Sequence, residues 1–490
     1  MPCGAFRESL NHGSIHLIVH RVSESNKADF DVAIIGGGSG GYAAARTSAL
    51  NGLKTAVIEG GDDVGGLCIL RGCMPTKALL YATDVLHLAR NAATWGVQTG
   101  QVSFNLAAIM ARKDRLIREF ADYRRGQLTS GKFAFFRANA RFVDARKLAL
   151  SDGTVLSADH FVISTGSITA TPPVPGMDTT DCITSDDALK MTSLPRSLVI
   201  LGGGAVAMEF AQFFARLNVE VTLIQRSHQV LRDFDEDAAR EIEHVFVREG
   251  ITLHLGTQLR NVATDGASKV VEFTKDGAPI RVVADEIFNG LGRSPNTAKL
   301  NLENAGVSTE RGRIVTNSHM RTSAPHIYAA GDCTGPHEIV HIAIQQGEIA
   351  AHNIAHPTSP RSIDYRLLTS IVFTDPQVAS AGLTEKEARN RGIPYLTAKH
   401  RFDDHGKSLI MEAREGFVKL LADPVSGEII GGSIVGPMGG ELLHEIIAAM
   451  NKHTTVHELA SMPHYHPTLA EIWTYPAEEL ASQINKPVAQ

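Results

Sequence analysis

Cysteine is scarce in this chain: Cys3, Cys68, Cys73, Cys182 and Cys333 are the only five among 490 residues. An odd, dispersed set excludes the disulfide framework of a secreted protein and points to a reducing, cytoplasmic setting. Long apolar runs are also lacking. No stretch approaches the roughly 20 residues needed to cross a bilayer, and the early candidate from Ile15 to Val19 is interrupted by His16. Runs of basic residues are absent and the formal net charge is -6, so neither nucleic acid nor an anionic membrane is an expected partner. No metal site is read from the sequence. What is present is a 43% apolar chain long enough for roughly three domains of ordinary size. Residues 1–28 mix both charge signs ahead of the first convincing strand. They are expected to form a mobile tail, with a targeting role as the alternative.

The segment DVAII, Asp31 to Ile35, is followed by a glycine turn, a helical stretch and a second apolar run from Thr55 to Ile58. This order is that of a βαβ unit. Gly36, Gly38 and Gly41 form GxGxxG: the first permits the tight turn, the second lets a pyrophosphate approach the backbone, and the third packs helix on strand. Phosphate then meets the helix N-terminus. Glu59 ends the second strand, where a carboxylate accepts hydrogen bonds from ribose hydroxyls. The same grammar returns with Leu198 to Leu201, then Gly202, Gly204 and Ala207 in the GxGxxG/A pattern. The second strand of this unit ends at Gln225, not at an acid, and Arg226 and Arg232 follow. A charge-assisted hydrogen bond is worth about 1.5–3 kcal/mol, enough for one arginine on a 2′-phosphate to favour NADPH by about tenfold. NADPH is therefore the expected nucleotide, with NADH as the alternative if both arginines are solvated loop charges.

Directly after the first unit comes GGLCILRGCMPTK, in which Cys68 and Cys73 stand five positions apart at the start of a probable helix. In a regular helix such residues have Cα atoms roughly 8–9 Å apart, whereas a disulfide needs about 4.4–6.8 Å. The first turn must therefore be irregular, and Gly65, Gly66 and Gly72 supply the freedom. A helix N-terminus also lowers a thiol pKa and favours exchange chemistry.

These residues resemble the redox-disulfide motif of the pyridine nucleotide-disulfide oxidoreductases, the family of dihydrolipoyl dehydrogenase, glutathione reductase and mercuric reductase. TSAPHIYAAGDC, TSIVFTDPQVASAGLTEKEA and HYHPTLAEIW are similar to further family blocks, so the resemblance runs from residue 29 onward. It implies that the first glycine unit binds FAD, that Asp332 contacts the flavin ribitol, and that Thr165 and Gly166 lie where the chain returns to the FAD domain. It implies that Cys73 lies next to the flavin while Cys68 faces a small disulfide substrate, with Lys77 near the flavin and paired with Glu209. His466 in HPTLAE is implied as the acid/base for the substrate-facing thiol, oriented by Glu471, with His464 as a weaker candidate. Imidazole suits that role because its pKa lies near neutrality. In the family this histidine serves the other subunit, which implies a homodimer.

The chain departs from the family pattern at Leu70, where asparagine is common, and at Ala205, where glutathione reductases have tyrosine. No cysteine follows Cys333, so the C-terminal pair of mercuric reductases is missing. Thr76 before Lys77 is closer to the serine of dihydrolipoyl dehydrogenase and mercuric reductase than to glutathione reductase. The expectation is a FAD-dependent NAD(P)H:disulfide oxidoreductase of the dihydrolipoyl dehydrogenase kind; the alternatives are a quinone or metal-ion reductase and a non-catalytic redox-sensing flavoprotein. The expected fold is α/β, with two Rossmann-like dinucleotide-binding domains and a C-terminal α+β dimerisation domain. FAD-binding segments are expected at 29–180 and 300–360, a nucleotide domain at 181–299 and an interface domain at 361–490. Phe133 to Ser164 is expected to form antiparallel strands inserted in the FAD domain.

Overall fold

The computed structural model describes residues 27–335 and 337–484; the expected tail lies almost wholly outside the described residues. Strand β1 (Phe30–Ile35) is buried along its last four residues, because a strand covered on both faces must be apolar throughout. It leads through the glycine turn into helix α1 (Ser39–Leu50), then β2 (Thr55–Ile58), parallel to β1. Three helices follow: α2 (Gly66–Leu70), α3 (Cys73–Arg90) and α4 (Leu106–Leu128). Strand β3 (Ala134–Phe136) returns to the sheet beside β2, running parallel to it.

This last pairing corrects the expectation of antiparallel strands throughout Phe133 to Ser164. Only β4 (Ala140–Asp144), β5 (Lys147–Leu150) and the start of β6 (Val155–Ile163) are antiparallel; the rest of β6 pairs parallel with β1. A three-residue run such as AlaPhePhe carries the same apolar signal in either sense, and only its partner decides. The parallel sheet is completed by Ile327–Ala329 on the far side of β6, so chain from both sides of the second nucleotide unit shares one sheet. Helix Val340–Ala355 packs on α1 at Gly347, where a Cβ would lie 2.2 Å from the carbonyl oxygen of Gly40.

The second unit has a parallel sheet in the order Thr252–His254, Glu220–Ile224, Ser197–Leu201, Glu286–Asn289, with a separate three-stranded antiparallel sheet from Thr257 to Ala284. The C-terminal part is a five-stranded antiparallel sheet whose strand Phe417–Ala422 is buried at every position, covered by helices Gly439–Asn451 and Thr474–Gln483.

Two buried cations tie these parts together. Arg216, in helix Ala205–Arg216, pairs with Asp84 of α3 at 2.7 Å, Glu249 at 2.8 Å and Asp375 at 2.8 Å. Lys419 pairs with Asp235 at 2.8 Å, Asp237 at 2.9 Å and Glu385 at 2.8 Å. Buried charges persist only when this fully partnered. Among the described residues no helix is long and apolar enough to cross a membrane.

Candidate active site

The first glycine turn has the geometry of a phosphate cradle. Gly36 sits at φ +106°, and a Cβ at Gly41 would lie 1.8 Å from the Gly36 carbonyl oxygen, so neither position accepts a side chain. Glu59 braces the turn, its carboxylate accepting from Gly37 N–H at 2.8 Å and Gly61 N–H at 2.7 Å. At the edge of the same sheet, Gly166 has φ +67° and the Thr165 hydroxyl is buried without a hydrogen-bond partner. Asp332 accepts a 2.6 Å hydrogen bond from Ser167, which in turn accepts from Arg293 at 2.7 Å.

Gly66, on the segment leading to the cysteines, lies directly against this cradle: a Cβ there would come within 2.5 Å of Gly38 Cα. Helix α2 ends at Leu70 and α3 begins afresh at Cys73, with Gly72 at φ −127°, ψ −115° between them. The irregular turn that the spacing demands is thus a full break between two helices. Cys68 and Cys73 are free thiols close enough to act on each other's acidity. Their proximity splits the pair. The neighbouring Cys68 brings the Cys73 thiol down to about 7, with Lys77 assisting, while the Cys68 thiol is pushed far up by Cys73 and by burial. Cys73, at the first position of α3, is the more acidic thiol of the pair.

Lys77 lies one helical turn beyond Cys73. Its ammonium meets both oxygens of Glu209 at 2.9 and 2.7 Å and sits 4.6 Å from the centre of the Phe373 ring. Glu209 is buried and also accepts the Phe373 N–H at 3.0 Å. The cysteine helix, the second nucleotide unit and the C-terminal domain therefore meet at this ion pair.

In the second unit Gly202 adopts φ +108°, whereas Gly204 has open space where its Cβ would be; Ala207 is fully buried and packs beneath Gly290. Gln225 turns onto its own loop, donating to Ser227 Oγ at 2.9 Å and accepting Arg226 N–H at 3.0 Å. Arg226 is exposed, while Arg232 lies 3.5 Å from Asp233. The loop is anchored from the C-terminal domain, since Lys386 donates to the Arg232 carbonyl at 2.7 Å.

His466 and Glu471 come together, Nδ1 to Oε2 at 3.0 Å, and the His466 side chain is 78% exposed. Among the described residues His466 makes no polar contact with either cysteine. His464 is not part of this pair: its ring is buried against Glu445 Oε1 at 2.6 Å.

The family sequence profile described as "Pyridine nucleotide-disulphide oxidoreductase" matches residues 30–347, and that of the same family's dimerisation domain matches residues 368–477. The chain belongs to the pyridine nucleotide-disulphide oxidoreductases. Among its relatives, a mercuric reductase from Staphylococcus aureus is 34% identical over 416 residues, 84% of this chain and 76% of that protein. A dihydrolipoyl dehydrogenase from Chlamydia muridarum is 35% identical over 413 residues, 83% of this chain and 87% of that protein. The solved structure of the HOCl-induced flavoprotein disulfide reductase RclA from Escherichia coli superposes with a TM-score of 0.82 at 25% identity, covering 91% of this chain and 99% of that one.

This oxidoreductase is flavin-dependent and uses a pyridine nucleotide. The residues fit an FAD: the turn has no room for a side chain at Gly36 or Gly41, and the buried Thr165 hydroxyl has no hydrogen-bond partner among the described residues. Sequence reasoning missed three participants. His405 is buried behind Glu471, with Nε2 3.4 Å from Oε1, and Phe373 supplies the amide that caps Glu209. His405 comes from a segment with no motif of its own, and Phe373, though inside the TSIVFTDPQ block, acts through its backbone N–H; both are brought in by the C-terminal sheet. The third, Arg124, is treated below.

Proposed function

We propose that this oxidoreductase reduces a small disulfide with NADPH, in the manner of dihydrolipoyl dehydrogenase-like enzymes, through the Cys68/Cys73 pair. The observation that carries the reading is the thiol pair itself: two neighbouring free thiols at a helix break, one with its pKa brought down to about 7, beside the Lys77–Glu209 ion pair.

The working unit is a homodimer. The dimerisation-domain match and the exposed His466–Glu471 pair both support it, since an acid/base so open within one chain has a use against a second copy. In that arrangement His466 takes the proton of Cys68, and Glu471 holds the imidazole at Nδ1 so that Nε2 is the exchanging atom. The Cys68 sulfur attacks one sulfur of the substrate; a new S–S bond forms, the substrate S–S bond breaks, and the departing thiolate takes the proton from His466. The Cys73 thiolate then attacks Cys68, closing the Cys68–Cys73 disulfide and expelling the second substrate sulfur as a thiolate, which takes its proton from solvent. FAD, when bound, supplies the two-electron relay between nucleotide and cysteine pair. Gly36, Gly38, Gly41, Glu59, Thr165, Gly166 and Asp332 would hold it. Gly202, Gly204 and Ala207 would form the nucleotide turn, and Arg226, exposed and without an ion pair among the described residues, is the stronger candidate for a 2′-phosphate than Arg232. The segments 29–180 and 300–360 form the FAD-binding part in this reading, supported by their shared sheet, with 181–299 and 361–490 as nucleotide and interface domains. A reducing cytoplasm suits Cys182 and Cys333, which are free thiols.

Similarity to mercuric reductases favours one second reading, transfer of electrons to a metal ion. Turnover of lipoamide, glutathione disulfide and mercuric ion, each with NADPH and NADH, separates the two. Disulfide reduction with NADPH that is abolished in Cys68→Ser supports the first; metal-ion reduction alone rejects it.

A further inference from the structure

Helix α4 carries a half-buried cation whose innermost nitrogens no side chain among the described residues satisfies. Arg124 has its Nε and Nη1 atoms buried without hydrogen-bond partners, and among the described residues it has no ion pair. The neighbouring Arg125 takes the available acids, Asp63 and Asp122. Cys68 is near enough for its charge to act on Arg124, but it is not the counter-ion: Cys73 and burial push its thiol far up, and Lys77 is the cation acting on both thiols. Burial holds the Arg124 guanidinium below its usual pKa range.

The surroundings of Arg124 are those of the phosphate cradle. Its guanidinium stacks 4.1 Å over the ring of Tyr42, whose N–H makes the first bond of α1 to the Gly38 carbonyl at 2.8 Å. One turn further along α4, a Leu128 methyl group lies 3.3 Å from where a Cβ on Gly37 would be. Gly66, at the start of α2, closes against Gly38, and α2 also packs on α4. A planar fork of donors fits phosphate oxygens two at a time, and leaving such a group buried and unpaired is among the most costly arrangements a fold can hold. We propose that Arg124 binds the pyrophosphate of FAD, adding a side-chain contact to the backbone amides at the start of α1. This rests on the FAD reading above but concerns a residue outside the glycine motif, on a helix with no nucleotide signature.

The test uses full-length protein as wild type, Arg124→Lys and Arg124→Met. The rate of FAD release is followed by the rise in flavin fluorescence, and the melting of each deflavinated protein is measured with and without inorganic pyrophosphate. Arg124→Met should release FAD at least about tenfold faster than wild type, the loss expected for one charge-assisted contact, with Arg124→Lys in between. Pyrophosphate should raise the melting temperature of deflavinated wild type by clearly more than that of Arg124→Met, which keeps only the backbone amides; an equal rise in both overturns the proposal. Without pyrophosphate, deflavinated Arg124→Met should melt no lower than wild type, since it no longer buries an unpaired charge. Equal release rates in wild type and Arg124→Met overturn the proposal. If Arg124→Met does not fold, a deflavinated wild type indifferent to pyrophosphate overturns it equally. Wild type that neither carries nor takes up FAD refutes the cofactor reading instead.

Discussion

Replacing Lys77 by methionine should raise the Cys73 pKa from about 7 to about 8, whereas Glu209→Gln should lower it, because the two side chains act on the thiolate with opposite sign. Residues one helical turn apart are about 6 Å from each other, and two unit charges at that distance interact by about 2.8 kcal/mol at an effective dielectric near 20. That corresponds to about two pKa units. The Lys77 side chain is 31% exposed, so screening brings the expected shift to about one unit. Lys77→Met also leaves the buried Glu209 with only the Phe373 N–H, at a stability cost of about 3 kcal/mol; Lys77→Met/Glu209→Gln should recover most of that cost. Thiolate absorbance near 240 nm, followed in the dithiol form from pH 5 to pH 10, reads the pKa directly. Wild type should give one thiolate with a midpoint near 7 that is missing from Cys73→Ser, with no second such step assignable to Cys68. Shifts of the same sign in both single variants, or two equivalent thiols in wild type, would refute the reasoning.

Arg226→Ala should raise the KM for NADPH about tenfold while leaving that for NADH within about twofold; equal effects on both would mean that no 2′-phosphate is bound there. His466→Ala should slow disulfide turnover by about 100-fold or more with little change in pre-steady-state flavin reduction by nucleotide, and a mixed dimer of His466→Ala with Cys68→Ser should recover one working site. Absence of that recovery would place the histidine in its own subunit. Lys419→Met strands three carboxylates, one of them buried, and should cost about 3–5 kcal/mol in urea unfolding; a loss below about 1 kcal/mol would show the cluster to be solvent-screened.

The motif-bearing half of the site was legible because its constraints are local. Glycine positions at Gly36, Gly41 and Gly202 follow from backbone contacts that tolerate no Cβ, and the five-residue cysteine spacing requires a break that the chain makes at Gly72. Partners distant in sequence were legible only through family resemblance: nothing in the spacing of Lys77 and Glu209 brings them to 2.7 Å. His405 and Arg124 stand in segments with no pattern beyond ordinary strands and helices, and Phe373 contributes a backbone N–H that its block does not advertise, so packing alone reveals all three. The sense of β3 was misread for a related reason, since a short apolar run does not specify its neighbour.

The central claim, that Cys68 and Cys73 exchange an electron pair with a bound flavin, is tested most directly by anaerobic titration of the purified protein with dithionite. Wild type should take up two electron pairs per FAD, one for the cysteines and one for the flavin, with a long-wavelength thiolate-to-flavin absorption after the first. Cys73→Ser should take up one pair and lack that band. A colourless wild type, or one that is fully reduced by a single pair, would contradict the account.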